Sequence, residues 1–192
     1  MKKFRFFAVL LVFFLAIGSL HGCDLASADA KQYPKGDPNI ANEKYNQLLV
    51  EWAFDKKYPN DIYADFPDFF GGAYVANHGN LVIMLTRQDK EIEDYFEELI
   101  GLDNVVFELT DYSFETLVAE SDAAAAAMNE VNDKYHGAIS SVGISIADNA
   151  INVYVNMTVV EKYDLNVKKV CSTLTSYPNI RVVEVKGYDE PA

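Results

Sequence analysis

The sequence predicts an α/β (α+β) fold of two repeated ββαβ units, each a small, mainly antiparallel sheet packed on helices, with a connecting helix between them. Three observations support this. First, the apolar runs 73–76 and 81–85 flank Asn77-His78-Gly79-Asn80, and Asn and Gly tolerate the positive φ of a tight turn, so this stretch reads as a β-hairpin. Second, Ser141–Ile146, the turn Ala147-Asp148-Asn149-Ala150 and Ile151–Val155 repeat the plan later in the chain. Third, an amphipathic stretch and a closing β-rich run follow each hairpin, which is the mark of a duplicated unit.

Residues 1–22 begin with Lys2, Lys3 and Arg5 and continue into the apolar run Phe6–Ile17. A membrane span needs about 20 apolar residues, so this segment reads as a signal peptide. Leu20-His21-Gly22-Cys23 resembles the bacterial lipobox, whose cysteine becomes diacylated, although His21 stands where a small or β-branched residue is usual. Cys23 is therefore the expected lipidation site. Two acyl chains would hold the protein on the extracytoplasmic face of a bacterial cell membrane of the Gram-positive kind.

Residues 23–40 lack periodicity and read as a flexible, lipid-anchored tether. A helix follows, with Tyr45, Leu48, Leu49 and Trp52 on one stripe, Glu43, Lys44, Asn46 and Gln47 opposite, and Asn42 as the candidate cap. Tyr58-Pro59-Asn60-Asp61 ends it, because proline disfavours helix in the residue before it. With the hairpin, a helix over 88–101 stopped at Gly101, and a strand over 104–109, this gives residues 41–112 as the N-terminal helix plus the first unit. Residues 113–136, with the run Ala123–Ala127, form the connecting helix. Residues 137–192 hold the second unit, whose single helix spans about 161–176 before Pro178 and the strand 180–185. Its extra length accounts for the wider spacing between hairpin and last strand.

Alternation decides how each sheet is covered. Ile151, Val153, Val155 and Met157 point one way and Asn152, Tyr154 and Asn156 the other, so the second sheet has one wet face. Leu81–Leu85 is apolar throughout. Its outer face is either covered, with Trp52 and Leu49 as candidates, or is a binding surface.

The chain carries a net charge of -13, and residues 1–22 contribute three cations and no acid, so the mature chain stands at -13 - 3 = -16. Such a surface repels phosphate backbones and anionic headgroups, which excludes nucleic acid as an expected partner and leaves the lipid anchor as the only membrane attachment. No catalytic, metal or cofactor constellation stands out. His78 lies in a turn, His136 precedes the second hairpin, and neither has a ligand partner at zinc spacing. Ser145 has no glycine elbow. Asp61, Asp65 and Asp68 lack the calcium-loop pattern. The acids of Glu91–Glu98 form a solvated face or a docking surface for a basic protein. Cys171 reads as a small core residue, and Asn156-Met157-Thr158 matches a glycosylation acceptor that a bacterial protein would not use.

Phe69-Phe70-Gly71-Gly72-Ala73-Tyr74-Val75 followed by Gly79-Asn80-Leu81-Val82-Ile83-Met84-Leu85-Thr86 resembles a pattern in the prosegments of alpha-lytic-protease-like and streptogrisin-like bacterial serine proteases. It also resembles small secreted or lipid-anchored Gram-positive proteins that carry such a segment alone. The likeness extends over about Phe66–Val185, with Ser113-Phe114 and Leu117 leading into the connecting helix. It implies α/β lobes that assist folding of a protease and inhibit it by docking. The chain ends at Ala192 without a protease domain, so such a role would act in trans. The expectation is thus a non-catalytic lipoprotein that binds a protein or peptide, with inhibition or folding of a secreted serine protease as the alternative.

Overall fold

The computed structural model describes residues 33–53, 66–174 and 177–186. The expected signal peptide, Cys23, most of the tether, the Tyr58–Asp61 stop, and Asp61 and Asp65 lie outside the described residues. Helix α1 (Pro38–Trp52) starts earlier than expected. Asp37 caps it by accepting from the Asn39 N–H, and proline opens its first turn. Asn42 sits inside the helix and donates to the Pro38 carbonyl instead. The chain just before α1 is not tether either: the Gly36 N–H donates to the His78 carbonyl at 2.7 Å and Asn80 donates to the Pro34 carbonyl at 2.7 Å. Pro34 and Gly36 look like linker in composition, and the donors and acceptors that pin them come from a distant turn.

Strands β1 (Phe70–Val75) and β2 (Leu81–Leu85) form the first hairpin, followed by α2 (Lys90–Ile100) and β3 (Val105–Leu109). Asp89 caps α2 and Gly101 stops it at φ 67°. The second half runs α3 (Phe114–Lys134), β4 (Ile139–Ser145), β5 (Ala150–Asn156), α4 (Met157–Lys162), α5 (Val167–Cys171) and β6 (Ile180–Val185). The two sheets have the orders β1-β2-β3 and β4-β5-β6. Each is mixed rather than mainly antiparallel, because the hairpin gives one antiparallel pair and the helical crossover returns the chain for a parallel one.

Two further expectations change. The single helix over 161–176 is two short helices, since Asp164 adopts φ 50° and Asn166 recaps the chain for α5. The connecting helix is also more than a connector. Helix α3 packs on β4 and β5 as α1 packs on β1 and β2, so the repeated unit is αββαβ, with α3 its first element in the second copy and α4 and α5 together standing where α2 stands in the first.

Each unit has its own core. In the first, Leu48 and Trp52 of α1 and Ile92 and Phe96 of α2 meet Leu81, Ile83 and Leu85 on one sheet face. Trp52 lies 4.6 Å from Phe70 between ring centroids, and its indole N–H donates to the Tyr95 hydroxyl. Trp52 therefore belongs to the same face as α2 and does not cover the opposite one. In the second, Ala124 and Val131 of α3 join Val153, Val155, Val170 and Leu174; its outer face, with Asn152, Tyr154 and Asn156, is only partly covered.

Lys44, assigned by sequence to the solvated side of α1, is only 7% exposed. Its ammonium donates to the Ile100 carbonyl at 2.5 Å, the Gly101 carbonyl at 2.9 Å and Asp103 at 2.8 Å. It thereby fills the carbonyl end of α2, where a cation is favoured.

Candidate functional site

Side chains that grip backbone define the region where the two units meet. Hairpin β1–β2 carries a bulge between Phe70 and Gly72, and Gly72 adopts φ 128°, a conformation suited to glycine. A Cβ there would stand 2.7 Å from Cγ2 of Ile146, so the missing side chain lets the second hairpin approach. Asn149, at φ 46° in the β4–β5 turn, then reaches across. Its Oδ1 accepts from the Tyr112 N–H at 2.9 Å, and its Nδ2 donates to the carbonyls of Tyr112 at 2.8 Å and Gly71 at 3.3 Å.

Asn104 makes the same kind of clamp in the first unit. Its Oδ1 accepts from the Asp37 N–H at 2.7 Å, and its Nδ2 donates to the carbonyls of Asp37 at 2.8 Å and Gly79 at 2.9 Å. One carboxamide thus satisfies the N–H and C=O of a single extended residue ahead of a helix, as a neighbouring strand would.

Between β3, the β4–β5 turn and the start of β6 lies an open, largely polar groove of about 690 Å³. Glu108, Leu109, Asp111, Asp148, Asn179 and Arg181 are among its walls. Leu109 is 66% exposed. Asp148 accepts from the Ser145 hydroxyl at 2.6 Å and pairs with Arg181 at 2.9 Å; the Ser145 bond first, then Arg181, hold its carboxyl below the usual range. At the outer face of the first sheet, Tyr33 donates to Glu108 at 2.8 Å. Burial first, then the bond and charge of Glu108, push this phenol up to about 12. Tyr74 is raised too, mainly by burial and then by Glu108 and Asp148.

The candidates named from sequence fall in separate places. His78 meets Asn80 through Nδ1 at 2.9 Å and lies against Tyr33. His136, at φ 58°, stacks on Tyr163 with centroids 4.1 Å apart. Ser145 bonds Asp148 rather than an imidazole. Asp68 pairs with Arg87. Cys171 is buried as a core residue, and burial pushes its thiol up. Asn156 caps α4. Along α2, Glu91, Asp94, Glu97 and Glu98 are exposed, with Lys90 bonded to Asp94. Among the described residues no group of three His, Cys, Asp or Glu is placed to hold a metal, and no helix is long and apolar enough to cross a membrane.

Sequence reasoning missed the three asparagines. A signal was present: Asn104 and Asn179 each stand immediately before the closing strand of their unit, which aligning the two copies exposes.

Residues 31–110 match the family of Pro-like N-terminal domains. The matched stretch contains all of α1 through β3, the first αββαβ unit, and the match is consistent with a prosegment-like domain. No curated protein matches the chain.

Proposed function

We propose that the protein is a non-catalytic binding module for a protein or peptide partner, held on the extracytoplasmic face of the cell membrane by lipid on Cys23. The observation that carries this reading is the likeness of residues 31–110 to Pro-like N-terminal domains, propeptide-type modules that do not themselves catalyse. The dispersal of Ser145, His78 and His136 into different neighbourhoods is compatible with it. A second reading, inhibition or assisted folding of a secreted serine protease in trans, is favoured by the Phe69–Val75 and Gly79–Thr86 pattern lying inside the matched residues.

The test is cross-linking of the lipidated full protein on membranes, followed by titration of purified residues 24–192 against purified trypsin-like secreted proteases. A partner captured reproducibly supports the first reading, and stoichiometric inhibition supports the second. Protease cleavage of the module without inhibition removes the second reading only. For the anchor, labelling with an alkynyl fatty acid is expected to vanish in Cys23→Ala; labelling that survives would place the lipid elsewhere.

A further inference from the structure

We infer that the groove between β3, the β4–β5 turn and β6 is the docking site for an extended, basic peptide segment of the partner, with the Asn179 carboxamide reading its backbone. This rests on the binding-module reading and names the surface that would perform it. Asn179 is 4% exposed, and neither its Oδ1 nor its Nδ2 has a hydrogen-bond partner among the described residues. Leaving both ends of a buried amide unbonded costs free energy that a fold normally avoids, so such a group calls for an explanation.

Comparison within the chain supplies one. Asn179 occupies the position of Asn104: the Leu81 N–H donates to the Asn104 carbonyl as the Ile151 N–H donates to the Asn179 carbonyl, each at 2.9 Å. In the first unit that carboxamide clamps the N–H and C=O of Asp37. In the second unit the corresponding incoming chain, at Tyr112, is held by Asn149 instead. The clamp at Asn179 is therefore duplicated in position and, among the described residues, left without a segment to hold. It lines the groove with its amide atoms covered, so an entering chain that met the carboxamide turned outward would give it the N–H and C=O that Asp37 gives Asn104.

Charge selects the occupant. Glu108, Asp111 and Asp148 face the groove against one cation, Arg181, which Asp148 already engages. Exposed Leu109 adds an apolar contact beside them. The partner segment is thus extended, with Lys or Arg near an aliphatic residue.

The experiment uses residues 24–192 and an array of 15-residue synthetic peptides, basic ones paired with charge-reversed copies. The strongest binder is then measured by fluorescence anisotropy. Asn179→Leu is expected to weaken binding about 10-fold while raising Tm by about 2–4 °C, because it removes the orphaned amide. Asp111→Asn is expected to weaken basic peptides about 3-fold and leave neutral ones unchanged. Equal binding by Asn179→Leu overturns the inference. So does a lowered Tm, which would mean that the amide is bonded within the fold. Tighter binding after deletion of residues 187–192 also overturns it, by making the chain's own end the occupant. If membrane cross-linking returns a partner but no array peptide binds, the inference fails and the broader reading stands; if neither binds, both fail.

Discussion

In the first unit Lys44 and Asn104 tie α1 and its leading segment to the far end of the sheet; at the matching places of the second unit stand Glu120 and Asn179. Lys44 and Glu120 lie equally far from their N-caps, Asp37 and Ser113. Glu120 Oε2 and both amide atoms of Asn179 are buried without a hydrogen-bond partner among the described residues. One plan therefore exists in a satisfied and an unsatisfied form. The second unit is secured from outside, by Asn149 on Gly71 and Tyr112 and by Ile146 against Gly72. With its leading segment held by Asn149, the second unit's matching polar positions have no partner among the described residues, and such positions are where a binding role can reside.

The largest test of this contrast is Lys44→Ala. It leaves the Ile100 and Gly101 carbonyls short of a buried donor and should cost about 2–4 kcal/mol in urea unfolding. A loss below 1 kcal/mol would show that α1 does not depend on this anchor. Gly72→Ala comes next, at about 2 kcal/mol, because it combines a left-handed φ with a 2.7 Å approach to Ile146. Adding Ile146→Ala should recover the steric part only, and a double-mutant cycle with no coupling would detach the two units energetically.

Glu120→Met should act in the opposite direction and stabilise by about 1 kcal/mol, since it replaces an orphaned buried oxygen with an apolar atom of similar reach. Equal stability would mean that the carboxylate finds water in solution. The smallest effect concerns Tyr33. Its folded pKa of about 12 lies above the ordinary 10.0, so the proton is held more tightly in the fold. That contribution is complete below pH 10 and is lost as pH rises towards 12. The stability difference between the wild type and Tyr33→Phe should therefore stay flat to pH 10 and shrink above it, with tyrosinate absorbance following the same course.

The comparison also shows where sequence reading succeeds. Both hairpins, α2 with its Gly101 stop, the extent of α3 and the closing strands were legible because each follows from local periodicity and turn chemistry. Alternation in Ile151–Asn156 correctly separates a buried from a partly wet face. The burial of every residue in β2 was legible as a need for cover, but not what supplies it. Trp52 looked like the cover, and it lies on the other face because α1 and α2 share one side of the sheet. Lys44 looked solvated, since a long cation grouped with Glu43, Asn46 and Gln47 gives no sign that another helix ends beside it.

The sequence by itself determined the duplicated pattern, the element types and the acidic surface, all of which depend on residues near one another in the chain. Tertiary structure alone decided that α3 opens a second αββαβ unit, that residues 33–37 dock on the first hairpin, and that Asn104 and Asn149 are held while Asn179 finds no partner among the described residues. The reason is physical: whether a buried amide is satisfied depends on which distant backbone arrives within about 3 Å of it, and no local preference encodes that arrival.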